Sequence, residues 1–125
     1  MYEIHFYEDK DGNSPIYEYM KDLSRQTDKN SRINHNKIND YIQVLSECGK
    51  AAGEPYIKHL DGDIWELRPI RNRIFFASWT NNGFILLHHF VKKTQKTPKR
   101  EIEQAKRNLQ DVQERAGKDE NMERC

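Results

Sequence analysis

Four side chains in the middle of the sequence are of the types that bind phosphate and transfer protons: Arg68, Arg73, His88 and Lys92. A guanidinium stays protonated and can bind phosphate through two parallel hydrogen bonds. An imidazole has an ordinary pKa of roughly 6.5, which suits proton transfer near neutral pH. A lysine adds a compact positive charge, or acts as an acid or base where it is desolvated. Because the four residues belong to different predicted strands, strand pairing must bring them together.

The first two of these strands set the position of the arginines. The segments IWELRPI and RIFFASW flank Arg71-Asn72, and a two-residue loop there predicts the pairs Ile70–Arg73, Arg68–Phe75 and Glu66–Ala77. Directly paired residues share a face, and successive residues alternate between faces. Arg68 and Arg73 thus become diagonal neighbours on one face, which we call the arginine face. That face also contains Glu66, Ile70, Phe75 and Trp79, and the opposite core face contains Trp65, Leu67, Ile74 and Phe76.

The position of the histidine depends on the next turn, at Asn82-Gly83, whose dipeptide is a strong hairpin signal. A loop of two or four residues there assigns alternate residues of the third strand to opposite faces. The arginine face receives Leu86, His88, Phe90 and Lys92, and the core face receives Ile85, Leu87, His89 and Val91. A three-residue loop reverses the two sets, so the turn decides which histidine lies beside the arginines. The favoured loop places His88 there.

The positive charge of the chain is concentrated around these strands. The 125 residues have a formal net charge of +1, yet residues 55–107 contain 11 Lys and Arg against 5 Asp and Glu, a net of +6. Residues 1–54 and 108–125 carry net charges of −3 and −2. Positive charge collected on one sheet face is the footprint expected of a phosphate-binding surface.

The length and composition indicate one small folded domain, placed at residues 1–117, followed by a frayed tail at residues 118–125. No apolar run approaches membrane-spanning length, and the first residues, MYEIHFYEDK, lack the pattern of a signal peptide. Two distant cysteines do not predict a disulfide framework, and no Cys/His spacing predicts a zinc site. We therefore expect a cytoplasmic protein without a cofactor, a metal or a membrane partner.

The remaining segments are interpreted as supports for the sheet. The first strand is predicted at 2–7, and a helix begins at Ser14-Pro15. After a break at Asp28–Ser31, a second helix ends at Gly49. A semi-apolar run at 56–60 is expected against the sheet edge, and a last helix begins at Thr97-Pro98 and ends at Gly117. Each helix has one apolar stripe. In the second helix this stripe is formed by Ile38, Tyr41, Ile42, Leu45 and Cys48, and in the last helix by Ile102, Ala105, Leu109 and Val112. The first two helices are expected to pack as a hairpin on the core face.

Three stretches resemble the phage Gp49-like branch of the HigB/RelE toxin superfamily of type II toxin–antitoxin systems. They are DGNSPIYEYMKDL (11–23), KHLDGDIWELRPIRNRIFF (58–76) and LLHHFVKKTQKTPKREIEQAKR (86–107). One departure is His89, which stands where the family often has a small residue. The resemblance implies an α+β, RelE-like fold of order β-α-α-β-β-β-α with a curved antiparallel sheet. It also implies metal-independent cleavage of messenger RNA, commonly on the translating ribosome, and inhibition by a cognate antitoxin, expected to be a helix-turn-helix protein.

RNA cleavage without a metal gives the candidate catalytic residues their roles. The 2′-hydroxyl attacks its own phosphate, which requires a base, a cation for the developing negative charge and an acid for the leaving oxygen. Arg68 and Arg73 suit the stabilisation of charge, and His88 suits proton transfer. Lys92 or Lys93 can assist charge stabilisation or act as an acid or base.

A further set of residues is expected to bind the substrate. Aromatic rings can stack on bases, each worth about 1–3 kcal/mol, and basic or hydroxyl side chains can contact backbone phosphate. The candidates are Phe75, Phe90 and Trp79 for stacking, and Lys93, Thr94 and Lys96 for phosphate. Phe75 and Phe90 can also pack beneath the last helix, and the two arginines can serve as salt-bridge partners of Glu66.

Two other functions fit the same sequence. One is a non-enzymatic poison of the same fold that binds a protein target, as ParE-like relatives bind DNA gyrase. The other is an inactive phage-derived nucleic-acid-binding protein. The set of arginine, histidine and lysine on one sheet face favours the endoribonuclease, because a gyrase-binding protein does not need it.

Overall fold

The computed structural model describes the backbone of residues 1–124 and the side chains of residues 1–117. Within this range, strands and helices are mixed along the chain, with one short 3-10 helix at Gly49–Ala52. In chain order the other elements are β1 (Glu3–Phe6), α1 (Pro15–Arg25), α2 (Lys29–Cys48), β2 (Ile57–Asp61), β3 (Ile64–Leu67), β4 (Asn72–Ser78), β5 (Gly83–Val91) and α3 (Lys99–Arg124). The α+β class is therefore as predicted.

The five strands form one mixed sheet in the order β1-β5-β4-β3-β2. Strands β2 to β5 are antiparallel neighbours, whereas β1 lies parallel to β5, with Glu3 opposite Gly83. The prediction of an entirely antiparallel sheet is thus wrong. A tight turn joins only antiparallel strands, but β1 is separated from β5 by two helices and three strands, which allows parallel pairing. The additional strand is β2, which contains most of the semi-apolar run at 56–60.

Helices cover both faces of the sheet. The hairpin of α1 and α2 packs, as predicted, on the core face, where the buried sheet residues are Ile57, Leu67, Ile74, Phe76, Phe84 and Leu86. Helix α3 packs on the arginine face, where the second apolar cluster contains Ile64, Phe75, Ala77, Ile85 and Leu87 together with the predicted helix stripe. Most of the arginine face is therefore a second core. The candidate residues Arg68, Arg73 and His88 lie at the end of this face near the β3–β4 turn.

The β3–β4 turn is longer than predicted but keeps the predicted faces. Glu66 pairs with Phe75 and Leu67 with Ile74, two positions from the predicted register, and four residues, 68–71, separate β3 from β4. A loop longer by two residues shifts the register by two positions and leaves every side chain on its original face. Ile70 in this loop has φ 59°, in the left-handed region that β-branched residues rarely adopt.

The β4–β5 connection differs from the prediction in two ways that cancel at His88. Ser78 pairs with Phe84 around a five-residue loop, and this odd length exchanges the faces of Leu86 and Ile85 relative to the prediction. The register then shifts between Phe75 and Phe76 because Leu87 forms a β-bulge. The bulge exchanges the two faces a second time, for the residues of β5 that follow Leu87. The predictions for Leu86, Ile85 and Leu87 are therefore wrong, whereas His88 and Phe90 lie on the arginine face as predicted.

The helix boundaries follow the sequence signals except at the predicted break of Asp28–Ser31, of which all but Asp28 belongs to α2, and at Gly117. Asp28 caps α2 through a hydrogen bond from Ser31 N to Oδ2 at 2.9 Å, and Gly49 ends α2 with φ 62°. Cys48, however, is exposed instead of buried. Gly117 does not end α3, whose backbone continues to Arg124, and the side chains of the predicted tail lie outside the described residues. None of the helices in the described chain combines the length and apolarity that crossing a membrane requires.

Candidate active site

The buried carboxylate of Glu66 is the centre of a cationic cluster. Glu66 is 1% exposed, and its Oε1 lies 3.3 Å from Arg68 Nε and 3.7 Å from Arg73 Nε. Its Oε2 accepts a hydrogen bond from Thr97 Oγ1 at 3.2 Å. A buried charge is costly unless it is paired, so two cations and a hydroxyl make this position tolerable. Glu66 also ties the segment before α3 to the sheet.

The two arginines of this cluster have different environments. Arg73 is 8% exposed, and its Nη1 donates to the carbonyls of Ile70 and Asn72 at 2.9 and 2.8 Å. Burial lowers the pKa of Arg73, and the charge of Glu66 acts in the opposite direction. Arg68 is more exposed, and among the described residues its guanidinium makes no hydrogen bond. Arg68 is therefore the better anion ligand, while much of Arg73 is used to hold the β3–β4 turn.

Lysine residues continue the cationic surface beyond the arginines. A cavity of about 410 Å³, which we call the basic cavity, is lined by Arg71, Arg73, Lys92, Lys93, Thr94 and Gln95. Burial and the nearby charge of Arg73 lower the pKa of Lys92. Lys96 is exposed, and its carbonyl accepts a hydrogen bond from Thr94 Oγ1 at 2.9 Å. The structure thus places Lys93 and Thr94 beside Lys92, with Lys96 further along the loop.

The imidazole of His88 is held by a carboxylate from α3. His88 Nε2 lies 2.5 Å from Glu101 Oε2, and the two side chains are 23% and 19% exposed. A carboxylate accepts hydrogen bonds, so in the neutral ring Nε2 carries the proton and Nδ1 is the free acceptor. His88 pairs with Phe75, and Arg73 pairs with Phe90, so His88 and Arg73 are diagonal neighbours. The histidine, the arginines and Lys92 therefore share one end of the arginine face.

Glu101 was missed by the sequence reasoning, although a weak signal was present. It lies in the first turn of α3, where acidic residues are common because they complement the helix dipole. Because acidic residues are common in the first turn of helices, the sequence does not indicate a specific role for Glu101. Only the packing of α3 on the sheet shows that this carboxylate reaches His88.

The aromatic candidates are mostly core residues. Phe75 is fully buried beneath α3, Phe90 packs against it with ring centroids 5.5 Å apart, and Trp79 is partly buried in the same cluster. The expectation that Phe75 is an exposed platform for a base is contradicted, because the apolar stripe of α3 covers it. Phe90 and Trp79 keep a partly exposed edge.

His89 lies on the opposite face of the sheet, as predicted. Its ring stacks on Tyr19 with centroids 4.0 Å apart, and its Nε2 lies 3.1 Å from Asn72 Oδ1. Burial lowers the pKa of His89 to about 4, and the neighbouring His88 contributes in the same direction. His89 is therefore a neutral structural residue at neutral pH. Within residues 1–117, His, Cys, Asp and Glu side chains form no group of three that could hold a metal ion.

The chain matches a model of a known protein family. No curated protein matches the chain. The family model described as phage derived protein Gp49-like (DUF891) matches residues 19–110. The matched range contains every candidate site residue named above and excludes β1. Since the match covers well over half of the sequence, the chain belongs to the Gp49-like family of phage-derived proteins.

Proposed function

We propose that this protein is the toxin of a type II toxin–antitoxin system and that it cleaves messenger RNA on the translating ribosome. The observation that carries the proposal is the convergence of Arg68, Lys92 and the His88–Glu101 pair at one end of the sheet. The family is associated with RelE-like toxins, which supports a HigB-type toxin with a RelE-like fold.

The site residues supply each part of a metal-independent cleavage. The 2′-oxygen forms a bond to phosphorus while the bond from phosphorus to the 5′-oxygen breaks, which leaves a 2′,3′-cyclic phosphate and a 5′-hydroxyl. His88 Nδ1 accepts the proton of the 2′-hydroxyl, and Glu101 holds the ring in the required tautomer. Arg68 stabilises the charge that develops on the phosphoryl oxygens. Lys92, whose pKa is lowered by burial and by Arg73, gives a proton to the leaving 5′-oxygen.

The same charges indicate the kind of partners to expect. A net of +6 over residues 55–107 favours a polyanion, and ribosome-bound messenger RNA provides one. We expect a cognate helix-turn-helix antitoxin to neutralise the protein by covering the basic cavity or by preventing its access to the ribosome.

The proposal is tested by expressing the protein in a translating extract and mapping new messenger RNA 5′ ends. Wild type is expected to produce them, Arg68→Ala to lose them, and Arg25→Ala, which removes an exposed arginine from α1, to behave as wild type. All three proteins are compared at equal concentration after their folding is checked by circular dichroism. Growth arrest in cells that express the protein, without new 5′ ends in the extract, would replace the proposal with a poison of a protein target such as DNA gyrase. Neither arrest nor cleavage would leave an inactive nucleic-acid-binding protein.

A further inference from the structure

A second cavity adjoins the basic cavity across the β3–β4 turn. It has a volume of about 470 Å³, and its lining includes Tyr19, Leu23, Asn34, Ile70, Arg71 and Val91. Arg71 lines both cavities, and its carbonyl accepts a hydrogen bond from Lys92 N at 2.8 Å. A chain bound along the basic cavity can therefore continue into the second cavity without leaving the protein surface.

The rim of this second cavity is apolar and unusually exposed. Ile70 and Val91 are 46% and 43% exposed. Ile70 also has φ 59°, where glycine or asparagine is far more favourable than a β-branched residue. A strained backbone that holds an apolar side chain in solvent, beside a cationic cavity, indicates a use for that side chain.

The polar wall of the cavity has its hydrogen bonds already made. Asn72 Oδ1 accepts from Tyr19 Oη at 3.0 Å and from His89 Nε2 at 3.1 Å. Asn72 Nδ2 donates to Asn34 Oδ1 at 2.8 Å and to the Pro69 carbonyl at 3.2 Å. The amide of Asn72 therefore has little capacity left for reading a ligand. This wall shapes the cavity, whereas recognition of a ligand depends on apolar contact and on the charge of Arg71.

We propose that this second cavity binds one base of the RNA substrate, next to the phosphates held in the basic cavity. The proposal rests on the proposed function and adds a subsite on the core side of the turn. Ile70 and Val91 contact the flat face of the base, and Arg71 contacts its phosphate. Because the contacts are apolar, the subsite tolerates any base but requires that one be present.

The test measures binding of a single-stranded 2′-fluoro oligonucleotide of about ten nucleotides, which lacks the 2′-hydroxyl needed for cleavage. One nucleotide at a time is replaced by an abasic unit, and affinity is followed by fluorescence anisotropy. With wild type, one abasic position is expected to weaken binding roughly 5-fold or more, because that position loses its apolar contact with Ile70 and Val91. With Ile70→Gly, which suits the left-handed backbone and so preserves the turn, the same abasic position is expected to have little further effect.

A matched control separates this subsite from a general loss of exposed apolar surface. Ile33 is 42% exposed on α2 and does not line the cavity, so Ile33→Ala should retain the full abasic penalty. Val91→Ser should behave as Ile70→Gly does. Binding that depends on Arg68 but shows no abasic position coupled to Ile70 would overturn the subsite and leave the proposed function standing. Failure of wild type to bind the oligonucleotide at all would overturn the subsite, whereas the proposed function is decided separately by the mapped 5′ ends.

Discussion

His88 and His89 are consecutive residues of β5, yet the sheet places them in opposite environments. His89 is stacked on Tyr19 and hydrogen-bonded to a neutral amide, and its pKa is lowered to about 4. His88 faces a carboxylate and stands near two arginines at a partly exposed edge. Two histidines that are adjacent in the chain can therefore have different roles. Neutral partners and burial make it a structural residue, and charged partners with access to solvent equip it for proton transfer.

The largest effect is expected when the two histidines are replaced in turn. His88→Gln should lower the cleavage rate by roughly 10²- to 10⁴-fold with an unchanged melting temperature, since it removes the proton acceptor. His89→Gln should lower the free energy of unfolding by about 1–3 kcal/mol, because buried partners lose their hydrogen bond, and leave the rate of the folded protein near wild type. Cleavage on programmed ribosomes and thermal melts measure the two quantities. The reverse pattern would exchange the roles of the two faces.

The two arginines extend the comparison to charged residues. Arg73→Ala should destabilise the protein by about 3–5 kcal/mol, because it leaves Glu66 less well paired and frees two carbonyls of the β3–β4 turn. Arg68→Ala should cost less stability, because it breaks one ion pair with Glu66 and no carbonyl hydrogen bond, and it should reduce cleavage by roughly 10²-fold or more. Urea unfolding and single-turnover cleavage test the pair. Equal losses of stability in both variants would mean that Arg68, too, is mainly structural.

Acid should destabilise the fold through His89. The pKa of His89 falls from 6.5 in the unfolded chain to about 4 in the fold, so the unfolded state binds more protons between these values. The contribution of neutral His89 to the free energy of unfolding is therefore fully present above about pH 6.5. It is lost as the pH falls toward 4, by up to roughly 3 kcal/mol. Urea unfolding at several pH values measures this slope. The His89→Gln variant should lack this contribution, and an identical slope in the variant would show that other groups cause it.

The smallest expected effect concerns the basic cavity and its lysines. Affinity for RNA or ribosomes should fall steeply with salt, and Lys92→Ala and Lys96→Ala should each reduce the logarithmic slope by about one. Lys21→Ala, which removes an exposed lysine from α1, serves as the control with an unchanged slope. A flat salt response of the wild-type protein would favour a protein target.

The sequence was sufficient for the α+β class, the helix hairpin and the face that Arg68, Arg73 and His88 share. These depend on alternation and on turn residues, which are local. The bulge at Leu87 and the odd loop before it were not predictable, because each is set by how β5 fits between β1 and β4. His88 was placed correctly only because the two deviations cancel.

The parts of the site that were missed depend on contacts between distant segments. Helix α3 covers Phe75, and the helix also supplies Glu101, but the sequence does not show on which face it packs. The role of Glu66 was foreseen only as a possible salt bridge. Its burial between two guanidinium groups depends on how distant segments pack in the fold, as does the exposure of Ile70 at the turn.

The parallel pairing of β1 with β5 has a consequence for the order of synthesis. Glu3 lies beside Gly83, which the ribosome adds 80 residues later, so the first strand emerges long before its partner exists. Contacts so distant in sequence form late, because the intervening chain must be closed first. The carboxylate that holds His88 comes later still, at position 101. On the proposed function, we therefore expect the nascent chain to be inactive toward the ribosome that makes it until nearly all of the protein has been translated.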